Sequence, residues 1–148
     1  MTAGPAPDER QFREDYAMLE SARTQLDALA RQQQLIQMAV EEHVRARETV
    51  KALMKGSPGD EVLIPIGADS YIHAKMSDNR DAIVGVGSST SIRRTPEEAE
   101  KILDEKIDEL SRGFKAVTER AAKLEQMVQE LSEKVQQQYD AMQASGQA

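Results

Sequence analysis

The sequence predicts a mainly α fold, in which two long helices form a coiled coil and two consecutive β-hairpins join them. Three observations predict it. From Leu103 to Met142 apolar residues recur in alternating steps of four and three. Between Glu61 and Arg94 four short β-branched runs alternate with loops of four or five residues rich in Gly, Asp, Asn and Ser. Only five aromatic residues occur in 148, while 30% of the chain is charged, which suits exposed helices better than a thick core.

The 148 residues suffice for one domain or one extended unit. A formal charge of -7 argues against nucleic acid as partner, because such binding depends on Lys and Arg neutralising phosphates. With no Cys the chain has neither a disulfide frame nor a thiolate metal site, which fits a reducing compartment. The start, Met1-Thr2-Ala3-Gly4-Pro5-Ala6-Pro7, lacks the charged and then apolar run of a signal peptide. No run approaches the roughly 18 apolar residues of a membrane span. The expected location is the cytoplasm, with no membrane partner.

Residues 1–8 read as a flexible tail of Pro, Ala and Gly. A first helix is expected over 9–55, and Gly56-Ser57-Pro58-Gly59 stops it. Its heptad seam runs through Leu19, Ala22, Leu26, Leu29, Gln33, Ile36, Val40, His43, Arg47, Val50 and Met54. Gln33, His43 and Arg47 make that seam imperfect, and polar members of a seam weaken it while helping to fix register.

The hairpins are expected over 61–94. In the second run Ile72, Ala74 and Met76 share one face, and Tyr71, His73 and Lys75 the other. Pro65 lacks an N–H, which places it at an edge or a bulge. A lone hairpin is marginal in water and its open edges recruit further strands, so other subunits are expected to complete this sheet.

The second helix, 96–144, has a strong start. Thr95 serves as N-cap, Pro96 as first helical residue, and Glu98 completes a capping box. Its seam is Leu103, Ile107, Leu110, Phe114, Val117, Ala121, Leu124, Val128, Leu131, Val135, Gln138 and Met142, apolar except for Gln138. Heptads sustained this long predict a coiled coil. Both helices are about 47 residues, hence about 70 Å at a rise of about 1.5 Å per residue. Equal lengths joined by a small sheet can fold back antiparallel. Phe12 and Tyr16 then come near Tyr139 and Met142 at an open end, where side chains stay partly exposed.

Val62-Leu63-Ile64-Pro65-Ile66-Gly67-Ala68-Asp69-Ser70-Tyr71-Ile72-His73-Ala74 closely resembles the first hairpin of archaeal prefoldin alpha subunits, and Ile83-Val84-Gly85-Val86-Gly87 with Ile92 resembles the second. The order helix, two hairpins, helix extends that resemblance over nearly the whole chain. It implies a heterohexamer of two alpha and four beta subunits. The hairpins would complete an intersubunit double β-barrel from which six coiled coils hang. The resemblance further implies coil tips that bind unfolded client proteins without ATP and pass them to a group II chaperonin. Beta subunits carry a single hairpin, so the four-strand middle marks the alpha type.

Two sets of residues follow as site candidates. Phe12, Tyr16, Leu19, Leu131, Val135, Tyr139 and Met142 are candidates for client contact, since flexible, mildly apolar side chains accept many partners by repacking. Leu19, Leu131 and Val135 fit equally well as ordinary seam residues. Val62, Ile64, Ile66, Ile72, Ile83, Val84, Val86 and Ile92 are candidates for subunit assembly, with burial inside the chain's own hairpins as the alternative.

Other motifs carry less. Gly85-Val86-Gly87-Ser88-Ser89-Thr90 faintly resembles a phosphate loop, but it lacks a third Gly and leads into a strand, so it reads as a turn. His43 and His73 lie on different elements without a carboxylate constellation, which leaves no metal or base site. No nucleophile, base pair or metal cluster supports an enzyme, and no cofactor is expected. The competing reading is a structural coiled-coil adaptor that holds one defined partner.

Overall fold

The computed structural model describes residues 7–146. The elements are α1 (Pro7–Met54), β1 (Glu61–Gly67), β2 (Ser70–Lys75), β3 (Ala82–Gly87), β4 (Thr90–Arg94) and α2 (Pro96–Ala144). Helix α1 starts earlier than the expected Glu9. Proline is tolerated in a first turn, and Asp8 and Glu9 complement the positive end of the helix dipole. The rest of the expected tail, residues 1–6, lies outside the described residues.

Helix α1 ends by tightening. Lys55 N–H donates to Ala52 O at 3.3 Å and Gly56 N–H to Leu53 O at 3.2 Å, short-range bonds that use up carbonyls of the last turn. The chain then reverses through Ser57-Pro58-Gly59-Asp60. Asp60 N–H bonds Ser57 O at 3.1 Å, and the Asp60 carboxylate accepts from Ser57 N–H at 2.8 Å.

The four strands form two separate antiparallel hairpins, β1 with β2 and β3 with β4. Their turns are tighter than the loops of four or five residues expected from composition. Only Ala68-Asp69 and Ser88-Ser89 lie outside the strands. All four have φ between 49° and 60°, as a type I′ turn requires. Non-glycine residues there are costly, and with Ala-Asp and Ser-Ser in place of the usual Asn-Gly signal the turns read as longer loops. Ser70 Oγ donates to Ala68 O at 3.1 Å and Thr90 Oγ1 to Ser88 O at 3.4 Å, the same brace used twice. Each hairpin also shifts register just before its turn, at Ile66 and at Val86, and the glycine that follows each (Gly67 φ 96°, Gly87 φ 105°) takes a conformation L side chains rarely adopt. The bulge beside Pro65 accommodates its missing N–H.

Helix α2 begins with the reciprocal box. Glu98 N–H donates to Thr95 Oγ1 at 3.2 Å, and Thr95 N–H to Glu98 Oε2 at 3.3 Å. Ala99, fully buried, carries the seam one step before Leu103.

The chain divides into two compact units, one of Met1–Gln37 with Arg112–Ala148, the other of Met38–Ser111. In the first, called here the terminal unit, the helices run antiparallel: Arg23 bonds Ser132 (3.4 Å) and, further along α1, Gln33 bonds Thr118 (3.0 Å). Its core is Leu29, Val117 and Ala121, with Leu26, Ile36 and Leu124 against them. Leu19, Ala22 and Leu131 are buried too. In the second, the hairpin unit, Arg47 Nη1 donates to Asp104 Oδ1 at 3.0 Å and Lys51 pairs with Glu100 at 3.6 Å, again antiparallel. The polar seam members are thereby accounted for. Gln33 bonds Thr118, Arg47 reaches Asp104, and the His43 ring nitrogen Nδ1 lies 2.6 Å from Ala39 O. The Asp104 carboxylate raises the Arg47 guanidinium pKa above its usual value.

Gly113 lies in the interior of α2, between seam residues Leu110 and Phe114. Apart from the helix's own neighbouring backbone, no atom lies within 4 Å of where a Cβ would sit, so close approach does not explain it. Glycine there costs backbone entropy without a compensating contact. Gly113→Ala is expected to raise stability by about 0.5–1 kcal/mol. Chemical denaturation reads this directly, and a lower midpoint would show that the position needs glycine.

Candidate functional site

Two surfaces gather the candidate residues. In the terminal unit Phe12 is half-buried between two more exposed rings. Its centroid lies 6.2 Å from that of Tyr16, with planes 27° apart, and 6.4 Å from that of Tyr139, at 35°. Tyr16 and Tyr139 are each about half exposed, at 49% and 48%. Gln143 Nε2 donates to the Tyr139 hydroxyl at 2.9 Å. These rings are therefore held in an open cluster that presents aromatic surface. Met142 and Val135 are half-buried. Leu19 and Leu131, 3% and 9% exposed, are closed inside the seam and offer no surface. Met18, absent from the sequence-derived set, is exposed in the same unit.

Asp15 is the residue that the sequence reading passed over. It is only 3% exposed. Its carboxylate accepts from Gln138 Nε2 at 2.8 Å and Gln11 Nε2 at 3.0 Å, and lies 3.2 Å from Lys134 Nζ. The hydrogen bond donated by the Gln138 side-chain amide holds the pKa of the Asp15 carboxyl below its ordinary value; burial opposes this, and Lys134 and Gln11 assist. The signal was available: counting the seam back from Leu19 by four and then three lands on Asp15 and Phe12.

The second surface is on the hairpins. Ile64 faces Ile72 across β1 and β2, and both are about half exposed. Ile66 and Val86, at the two bulges, are equally open. Ile83 is 71% exposed. Val62 and Ile92 are half-buried. Val84 differs: it is 8% exposed and lines a cavity with His43 and Leu103, so its own chain covers it. On the other face of the first hairpin Leu63 and Tyr71 are exposed as well. A two-stranded sheet with apolar residues open on both faces and both edges unpaired is unsatisfied by its own chain.

Among the described residues no three His, Cys, Asp or Glu side chains are grouped to hold a metal ion, and no helix is long and apolar enough to cross a membrane. His73 is exposed on β2.

An antiparallel two-helix coil with open aromatics in one unit and paired, unsatisfied hairpins in the other defines a class: coiled-coil subunits headed by β-hairpins. The comparisons with known proteins agree. The family described as Prefoldin subunit matches residues 22–141. The chain is 32% identical over 117 residues to Prefoldin subunit alpha of Methanothrix thermoacetophila, covering 79% of this chain and 76% of that one. It is 32% identical over 124 residues to Prefoldin subunit alpha of Pyrococcus horikoshii, covering 83% and 82%. The cryo-EM structure of filamentous PFD from Methanocaldococcus jannaschii shares the fold, with TM-score 0.64 at 21% identity over 78% of this chain and 96% of that one. The chain belongs to the prefoldin subunit family, whose members act as chaperones and form oligomeric complexes with other prefoldin subunits.

Proposed function

We propose that this chain is the alpha-type subunit of a cytoplasmic, ATP-independent holdase, and that it captures unfolded proteins at the free helix ends of its terminal unit. The open cluster of Phe12, Tyr16 and Tyr139 is the observation that carries this reading. Half-exposed rings offer apolar area without a shaped pocket, which suits clients that share no sequence, and Met18 and Met142 add adaptable surface. Leu19, Leu131 and Val135 support the cluster from the seam. Each contact is weak, and several arms acting together multiply their effect through effective concentration.

The hairpins serve assembly. Val62, Ile64, Ile66, Ile72, Ile83, Val86 and Ile92 meet strands of other subunits in the double barrel of a complex of two alpha and four beta subunits. Val84 anchors the second hairpin to its own helices. A captured client then passes to a group II chaperonin. No cofactor and no catalytic step enters this account.

Promiscuity is the test. At near-stoichiometric amounts and without nucleotide, the assembled protein is expected to slow aggregation of several unrelated denatured proteins, read by light scattering. Binding of one folded partner, with no effect on those aggregation curves, would instead establish an adaptor.

A further inference from the structure

Asp15 and Gln138 face one another from seam positions of α1 and α2, where every neighbouring seam residue is apolar. Stability alone does not explain them. A buried polar pair is often no better than an apolar pair of similar volume, because desolvation offsets the attraction. Gln138 adds to the cost, since its Oε1 is buried without a partner. A polar seam pair does, however, discriminate between registers. Between this pair and Gln33, whose bond to Thr118 is exposed, the seam is Leu, Ala and Val, which exchange places at little cost when one helix slides a heptad past the other. A slide in one direction sets the Asp15 carboxylate against Leu131. A slide in the other sets the Gln138 amide against Ala22. The first strips the carboxylate of Gln138 and Lys134 and leaves it Gln11 alone, and the second leaves the Gln138 amide buried without its partner; both are unfavourable.

We infer that Asp15 and Gln138 form a register pin for the helix ends of the terminal unit, and that the pin is what keeps Phe12 beside Tyr139. Phe12 lies three residues before Asp15 and Tyr139 directly follows Gln138, so fixing one pair fixes the other. Gln11 and Lys134 secure the carboxylate from either helix. Asp15 is thus a positioning residue. Its consequence for clients rests on the function proposed above; its consequence for register does not.

The absence of cysteine allows a clean measurement on the full chain. Spin labels are attached at Ala28→Cys and Ala141→Cys, both exposed in the terminal unit, and labelled chains are diluted with unlabelled ones in the assembled protein. The parent and Asp15→Asn, which can still accept from Gln138, are expected to give one narrow distance distribution. Asp15→Leu combined with Gln138→Leu is expected to melt no lower than the parent. It should nevertheless show a second population, displaced by up to about 10 Å, one heptad of helical rise. It should also need more protein for half-suppression of client aggregation. A single narrow distribution at the parent distance in the double variant would overturn the pin. So would a double variant that fails to fold, because the pair's role would then be bulk stability. A parent without any effect on aggregation would sink the client reading and leave the distances to decide the pin.

Discussion

Ile83→Asp is expected to abolish assembly while leaving the chain's own helices intact. Ile83 is 71% exposed, so the carboxylate meets water in the lone chain and costs that chain little. Its cross-strand partner is Arg93, which offers the new carboxylate an opposite charge within the hairpin. In the proposed barrel the same carboxylate would be carried out of water, and even beside Arg93 the desolvation of a charge costs several kcal/mol. Each 1.4 kcal/mol is about tenfold in an equilibrium constant, so the penalty displaces association by orders of magnitude. Size-exclusion chromatography should show monomers or aggregates, with helical circular dichroism like that of the parent. Elution with the parent complex would mean that β3 faces solvent in the assembly.

Removing residues 1–19 and 131–148 is expected to separate holding from assembling. The deletion takes away Phe12, Tyr16, Tyr139 and Met142, and with them the Asp15–Gln138 pair. It spares the core of the terminal unit, formed by Leu29, Val117 and Ala121 with Leu26, Ile36 and Leu124. It leaves the hairpin unit, Met38–Ser111, untouched. The truncated chain should therefore still enter a complex of unchanged stoichiometry, yet lose its suppression of client aggregation. Retained suppression would move the client contact away from the helix ends.

Much of this molecule was legible before its structure. The alternating steps from Leu103 to Met142 name the buried side of α2, because a repeat of 3.5 residues keeps one stripe facing a partner. Every one of those residues is at least half-buried in its unit. The box of Thr95 and Glu98 was readable because its two hydrogen bonds need residue types at a fixed spacing. The hairpin middle was readable because its β-branched runs have few other uses.

Other features were hidden for physical reasons. The two-residue turns place Ala68 and Ser88 in left-handed conformations that propensity argues against, so composition suggests longer loops. Asp15 breaks the apolar pattern one turn before Leu19, where a charged residue looks like solvated helix surface. Its meaning depends on Gln138, which is 123 positions away in sequence. Ala99 is buried because it is small, and a small residue gives little periodic signal. Of the site candidates, Leu19, Leu131 and Val84 illustrate the general difficulty. An apolar residue looks the same in sequence whether its own chain or another covers it, and only the fold separates Val84 from its exposed neighbours Ile83 and Val86.

In the proposed function the strands of this chain are completed by other chains. Co-expression of this chain with a candidate beta subunit, followed by native mass measurement, tests that directly. A complex of two copies of this chain with four of its partner is the predicted mass. A stable monomer that remains alone beside its intended partner, with its hairpins folded, would contradict it.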